Sequence, residues 1–168
     1  MNKTVSLAGI AYESLVNGPG MRRVFFAQGC NHKCEGCFNP ETHSFNSGEI
    51  MDMDKLIKDV LDNPILKGVT FSGGDPVEQA HSFSYMAKAF KKANLNIWCY
   101  TGYTFEKLLE AMKSDTAISD LLNNIDVLVD GKFEIMNRNE ELKFKGSTNQ
   151  RIIDVKKSLD SGNIIVIG

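Results

Sequence analysis

No window of this 168-residue chain approaches the ~18 consecutive apolar residues that a membrane-spanning helix needs, although 42% of its residues are hydrophobic. The stretch Met1 to Ile10 lacks the sustained apolar core of a secretory signal. Disulfides are therefore not expected among the four cysteines, and the expected location is the cytoplasm, away from any membrane. An excess of positive charge is missing too: 19 Lys and Arg against 21 Asp and Glu give a formal net charge of −2. Nucleic-acid surfaces are usually basic, so no nucleic-acid partner is expected. There is no tandem repeat, low-complexity tract or interdomain linker. The length suits a single domain over residues 1–168, with enough apolar content for a real core.

What the chain does have is three thiols within eight residues, Cys30, Cys34 and Cys37, spaced C-x3-C-x2-C. They follow the apolar run Val24 to Gln28, which reads as a buried strand, so they fall on the loop leaving its C-terminal end. Close thiolates select soft metal centres, iron–sulfur clusters among them. Three cysteines on a four-iron cluster leave one iron open to a non-protein ligand. Structural zinc is the competing reading. It prefers four closed ligands, usually from paired cysteine units, and the second pair is missing here. His32 sits between the first two cysteines, where a tetrahedron with all three is awkward. Cys99 is the better fourth zinc ligand, although it lies far along the chain in an apolar, strand-like run. At this level a cluster, a zinc site and inert thiols all stay open.

Around this loop the pattern alternates between strands and helices. Val5 to Ile10 reads as a short strand, and Asn17-Gly18-Pro19-Gly20 as a turn. Asp52 caps a helix over Met53 to Asn63, whose Met53, Leu56, Ile57, Val60 and Leu61 form one stripe. Gly68 to Ser72 is a strand running into Gly73-Gly74-Asp75-Pro76-Val77-Glu78. There Asp75, Pro76 and Glu78 fit the N-cap, first and third positions of a capping box. The glycine pair suits close approach of a ligand to the backbone. The helix that follows reaches Ala93, Leu95 to Tyr100 is a strand, and Thr104 caps another helix. A short helical piece includes Ile118, Leu121 and Leu122. Ile125 to Val129 is a strand that delivers Asp130 and Lys132 to its C-terminal loop; these read as solvated charges or as ligand contacts. Lys143 to Arg151 is a polar loop. Arg151 to Val155 and Ile164 to Ile167 add strands. Such alternation indicates an α/β protein with a largely parallel sheet. A full eight-unit barrel needs ~250 residues, so this chain has room for a partial, open-sided TIM-type β/α barrel.

The cysteine spacing resembles the radical S-adenosylmethionine (SAM) superfamily. Further blocks sharpen the resemblance to the anaerobic ribonucleoside-triphosphate reductase activases: Asn17 to Gly20, Cys30 to Asn39, Ser72 to Pro76, Trp98 to Tyr103, Val129 to Lys132 and Gly146 to Arg151. They occur in order over roughly residues 15–151. Three departures stand out: Phe38 where Tyr is expected, His43 where Trp is expected, and Phe144-Lys145 in place of Trp-Arg. The tail after Asp154 carries no resemblance.

The resemblance implies a partial barrel of the radical SAM type. It implies a [4Fe–4S] cluster on Cys30, Cys34 and Cys37, with the amino and carboxylate groups of SAM on the fourth iron. It further implies reductive cleavage of SAM to methionine and a 5′-deoxyadenosyl radical, which removes a hydrogen from a glycine of the reductase large subunit. Reduced flavodoxin is the implied electron donor. Gly36, Cys37 and Phe38 are the implied contacts to adenine, and Gly73 and Gly74 border the methionine amino group. Asp130 and Lys132 are candidates for ribose and carboxylate. His32 and His43 read as loop residues. Two other readings remain: a short radical SAM enzyme for another glycyl-radical enzyme or a small molecule, and a zinc-bound interaction module.

Overall fold

The computed structural model describes residues 3–37 and 40–168. Among these residues there are seven strands and five α-helices. They are β1 (Thr4–Ser14), β2 (Arg22–Ala27), β3 (Glu49–Asp52), α1 (Met53–Leu61), β4 (Gly68–Gly73), α2 (Ala80–Lys92), β5 (Asn96–Tyr100), α3 (Phe105–Ala111), α4 (Thr116–Asn124), β6 (Val127–Asp130), β7 (Arg151–Asp154) and α5 (Val155–Ser161).

All seven strands join one sheet in the order β3-β1-β2-β4-β5-β6-β7. The middle four, β2, β4, β5 and β6, run parallel. The flanks do not: β1 pairs antiparallel with β2 and β3, and β7 antiparallel with β6. The sheet is thus mixed rather than largely parallel. The connections explain it. Helices α1, α2 and the α3–α4 pair precede β4, β5 and β6, and a helical crossover returns the chain in the same direction. No α-helix separates β1 from β2 or β6 from β7, and those neighbours reverse.

Alternation along the strands sorts side chains to two faces. Phe25, Phe71, Ile97, Cys99, Leu128 and Ile153 join the main core with Met53, Phe83, Phe90, Phe105 and Leu121 of the helices. The helices pack in a row, α1 on α2, α2 on α4 and α4 on α5, so they cover this one face. Phe25, Phe71 and Phe90 meet at centroid separations of 6.0 to 6.5 Å. Each such buried phenyl group stabilises the fold by about 1.5–3 kcal/mol. The opposite strand face carries a smaller cluster of Trp98, Val127, Val129 and Ile152, with Tyr100 and Phe144 against it. The site lies on that helix-free side.

Several sequence expectations hold. Asp52 and Thr104 cap α1 and α3 through their side chains. Others shift. The segment after Asp75 begins as a 3-10 turn, Pro76–Gln79, before α2 starts at Ala80. Strand β3 and helix α5 were not apparent from pattern; Val155, read as the end of a strand, is the first residue of α5. Ile164 to Ile167 makes no regular strand. It forms a single bridge, Val166 with Ile153, and lies along the outer edge of β7.

Candidate functional site

Strand β2 ends at Ala27, and the chain then enters the cysteine loop. Main-chain hydrogen bonds clamp the loop's start between two other segments. The amides of Gly29 and Cys30 donate to the carbonyls of Thr42 (2.6 Å) and His43 (3.2 Å). On the other side, the amides of Gly74 and Asp75 donate to the carbonyls of Ala27 and Gly29, both at 2.8 Å. This is why glycine occupies positions 73 and 74. Gly73 has φ +99°, and a Cβ on it would collide with the backbone of Phe26 and Ala27. A Cβ on Gly74 would collide with the Gly29 carbonyl and stand 2.9 Å from the Thr42 carbonyl. The close approach that the glycine pair permits includes that of the cysteine loop's own backbone.

Cys30, Cys34 and Cys37 line one cavity of about 130 Å³ together with Gly73, Gly74 and His43. Burial pushes the Cys30 thiol up, while the backbone N–H groups of His32 and Lys33 favour its thiolate. Burial pushes the Cys34 thiol up as well, with the Phe133 backbone and the Lys132 ammonium opposing it. Three soft sulfurs on one cavity, two of them with backbone N–H groups nearby, fit a thiolate-held iron–sulfur cluster. The zinc reading lacks its expected fourth ligand. Cys99 is fully buried on the helix-covered face, in the main core, and burial pushes its thiol well up.

A buried polar latch sits behind the loop. The Asp75 carboxylate is 0% exposed. One oxygen caps the 3-10 turn, accepting from the Val77 amide at 3.0 Å. The other accepts from His32 Nε2 at 2.6 Å, the Thr101 hydroxyl at 2.9 Å and the Gly102 amide at 3.0 Å. His32 packs edge-on against Tyr103, with ring centroids 4.5 Å apart. Glu78 does not close the expected capping box. Its carboxylate instead accepts from the Tyr103 hydroxyl and from Asn31 Nδ2. Asp75 and Glu78 thus tie the cysteine loop to the end of β5. His32, read as an ordinary loop residue, belongs to this latch. Its partner lies 43 positions away, so no local pattern could reveal it.

The remaining expected contacts divide. Gly36 takes φ +72° and packs under Ile135, whose Cδ1 would lie 2.7 Å from an added Cβ. Phe38 lies outside the described residues. Asp130 is 1% exposed and is bound into the fold. Its carboxylate accepts from the Phe105 amide at the start of α3 (2.8 Å) and from Arg151 Nε (3.0 Å). The expected ribose contact therefore meets a carboxylate already occupied by α3 and β7. Lys132 lines a neighbouring cavity of about 580 Å³ with His32, Gly102 and Tyr103. Gln150, not singled out in the sequence, lines the cysteine cavity. Its Nε2 donates to the Gly131 carbonyl at 3.1 Å, and its Oε1 accepts from the Gly146 and Ser147 amides. A groove of about 570 Å³ continues from the cavity over Phe26, Ser72, Tyr100 and Phe144 on the helix-free face.

The family model that matches describes a 4Fe-4S single cluster domain and covers residues 16–153. The chain is also similar to curated proteins each named anaerobic ribonucleoside-triphosphate reductase-activating protein. The relative from Vibrio cholerae is 39% identical over 147 residues, which is 82% of this chain and 90% of that protein. The relative from Enterobacteria phage T4 is 35% identical over 145 residues, covering 82% and 86%. That from Escherichia coli K12 is 36% identical over 145 residues, covering 81% and 90%. The match takes in the cysteine loop, the glycine turn and the strands that hold them, and on that evidence this chain belongs to the family of anaerobic ribonucleoside-triphosphate reductase-activating proteins.

Proposed function

We propose that this protein activates an anaerobic ribonucleotide reductase through a [4Fe–4S] cluster held by Cys30, Cys34 and Cys37, with SAM as co-substrate. The observation that carries the reading is the convergence of the three thiols and the Gly73–Gly74 turn on one cavity. When bound and reduced, a four-iron cluster with SAM at its open iron supplies the electron that cleaves the sulfonium bond, giving methionine and a 5′-deoxyadenosyl radical that takes a hydrogen from a glycine of the reductase.

The chain's own residues hold and orient. Asp75 and His32 fix the loop between the first two cysteines. The turn at Gly73 and Gly74 borders the cavity and is suited to receive an amino acid's amino group through backbone carbonyls. Gly36, Cys37 and Phe38 are the candidates for contact with adenine. Lys132 is a candidate for the substrate carboxylate. Asp130 contributes by positioning Arg151 and the start of α3.

The sheet has ends at β3 and β7, and the groove over Phe26 and Tyr100 opens from the cavity. We read this as a partial β/α barrel whose open side admits a glycine-bearing loop of the partner. Residues 1–168 act as one domain in this reading, in the cytoplasm, with reduced flavodoxin or a similar protein as donor. No helix among the described residues is long and apolar enough to cross a membrane.

The test is anaerobic reconstitution with iron and sulfide, reduction, and addition of SAM with and without the large reductase subunit. The expected result is 5′-deoxyadenosine from the wild type and none from Cys34→Ala, with a glycyl-radical electron paramagnetic resonance signal only when both proteins are present. A loaded cluster that cleaves SAM yet leaves no radical on the reductase would remove the partner from the reading. Failure to hold iron would remove the cluster.

A further inference from the structure

We propose that His43 donates a hydrogen bond from Nε2 to a sulfur of the cluster held in the cysteine cavity, and thereby raises its reduction potential. The inference rests on the cluster reading above. His43 lines the same cavity as Cys30, Cys34 and Cys37. Its Nε2 is buried and has no hydrogen-bond partner among the described residues. Buried polar atoms are nearly always paired, so an unpaired ring nitrogen on a residue that lines the cavity marks a place for an acceptor.

The position is built rather than incidental. The His43 amide donates to the Pro40 carbonyl at 3.2 Å, and its own carbonyl accepts from the Cys30 amide at 3.2 Å. The preceding carbonyl, of Thr42, accepts from Gly29 at 2.6 Å. The backbone of His43 is therefore pinned beside the first cysteine. The other histidine at the cavity, His32, differs, because its Nε2 is committed to Asp75. A donor role needs only a sulfur within reach. Reduction adds negative charge to a cluster, and an N–H pointed at a sulfur stabilises the more negative form, so hydrogen bonding to the sulfurs is one determinant of the potential.

The experiment uses the full chain, reconstituted anaerobically without SAM, as wild type, His43→Phe and His43→Trp. Iron and sulfide are quantified, and the reduced cluster is followed by electron paramagnetic resonance during a redox titration. His43→Phe removes the donor, whereas His43→Trp keeps a ring N–H. The expected result is a fall of about tenfold in the ratio of reduced to oxidised cluster at fixed potential in His43→Phe, a shift of about 59 mV to the negative for one electron. His43→Trp should stay near the wild type. An unmoved potential in loaded His43→Phe, or an equal shift in His43→Trp, overturns the proposal. Should His43→Phe fail to assemble, protein labelled with 15N-histidine decides. A nitrogen hyperfine coupling to the reduced cluster that vanishes in His43→Trp supports the hydrogen bond; no coupling, or one that persists, overturns it. Wild type without a cluster sinks the parent reading and this one together, whereas a loaded cluster with unmoved potential sinks this one alone.

Discussion

At Asp75, one fully buried carboxylate gathers four donors from three parts of the chain: the Val77 amide, the His32 ring, the Thr101 hydroxyl and the Gly102 amide. Removing one member of a buried charged network leaves the others desolvated and unpaired. We expect Asp75→Ala to cost about 3 kcal/mol or more in urea unfolding of the apoprotein. The exposed Lys58–Asp62 pair on α1 offers a contrast at similar separation, and Asp62→Ala should cost no more than about 0.5 kcal/mol. A cost at Asp75 as small as that at Asp62 would show that the latch contributes little.

The pH dependence at this scale runs through Glu106. The Arg151 guanidinium hydrogen-bonds its carboxylate at 2.6 Å and holds it below the ordinary glutamate value of 4.5. A depressed carboxylate contributes stability above its unfolded value and loses it as pH falls through the folded one. The Glu106 side chain is 59% exposed, so solvent screens the gain. Glu106→Gln should cost up to about 0.5 kcal/mol at pH 7. The difference from wild type should vanish in acid below the folded value, as read from denaturant midpoints along a pH series. A constant difference across the series would separate the effect from ionisation.

Among the elements, the turn after β4 matters most to the site. Its capping chemistry follows from local sequence, and Asp75 does cap through the Val77 amide. The glycines before it answer to a different element, the backbone leaving β2. An alanine at 74 has to displace the carbonyls of Gly29 and Thr42, which are main chain and cannot rotate away. Gly74→Ala should therefore lower apoprotein stability by about 3 kcal/mol, toward the upper end of overpacking costs, and reduce iron content after reconstitution. Thermal unfolding alongside iron analysis checks both. Normal stability with lost iron would place the demand for glycine on the cofactor rather than on the loop. Arg22 shows the same principle in a strand. It is 1% exposed in β2, donates to the Thr70 hydroxyl and to the carbonyls of Pro19, Val69 and Asn96, and is pushed down to about 10 by burial. It remains charged at neutral pH and holds the Asn17–Gly20 turn against the sheet.

For the molecule as a whole, the two ends of the sheet are treated differently. At the β7 end, the tail supplies three main-chain hydrogen bonds: Ile152 to the Gly168 carbonyl, Ile167 to the Ile152 carbonyl, and Asp154 to the Ile165 carbonyl, at 2.7 to 2.9 Å. The Ile165 amide also donates to the Ser158 hydroxyl at 2.9 Å. Deleting residues 163–168 bares the edge of β7. The expected outcome is a loss of about 2 kcal/mol and a rise in self-association, measured by urea unfolding and light scattering. Unchanged stability would mean that the tail only rests on the edge.

The sequence by itself determined the α/β class, the placing of the cysteine loop after a buried strand, the starts of α1 and α3 and the family, because each is written in short-range signals: thiol spacing, apolar period, capping residues and ordered blocks. It under-read β3 and α5, whose short segments carry too little periodicity to separate from loop. Only the tertiary structure decided that Asp130 serves β7 and α3, that Glu78 holds Asn31 and Tyr103, that Gly73 and Gly74 admit another stretch of backbone, and that His43 lines the cysteine cavity. The reason is common to the first three, since His43 lies only 6 to 13 positions after Cys37 and Cys30. Each partner lies outside the local segment, 25 to 47 positions away for Asp130 with Phe105 and for Glu78 with Tyr103 and Asn31, and is brought near by the pairing of β2, β4, β5 and β6 in one sheet.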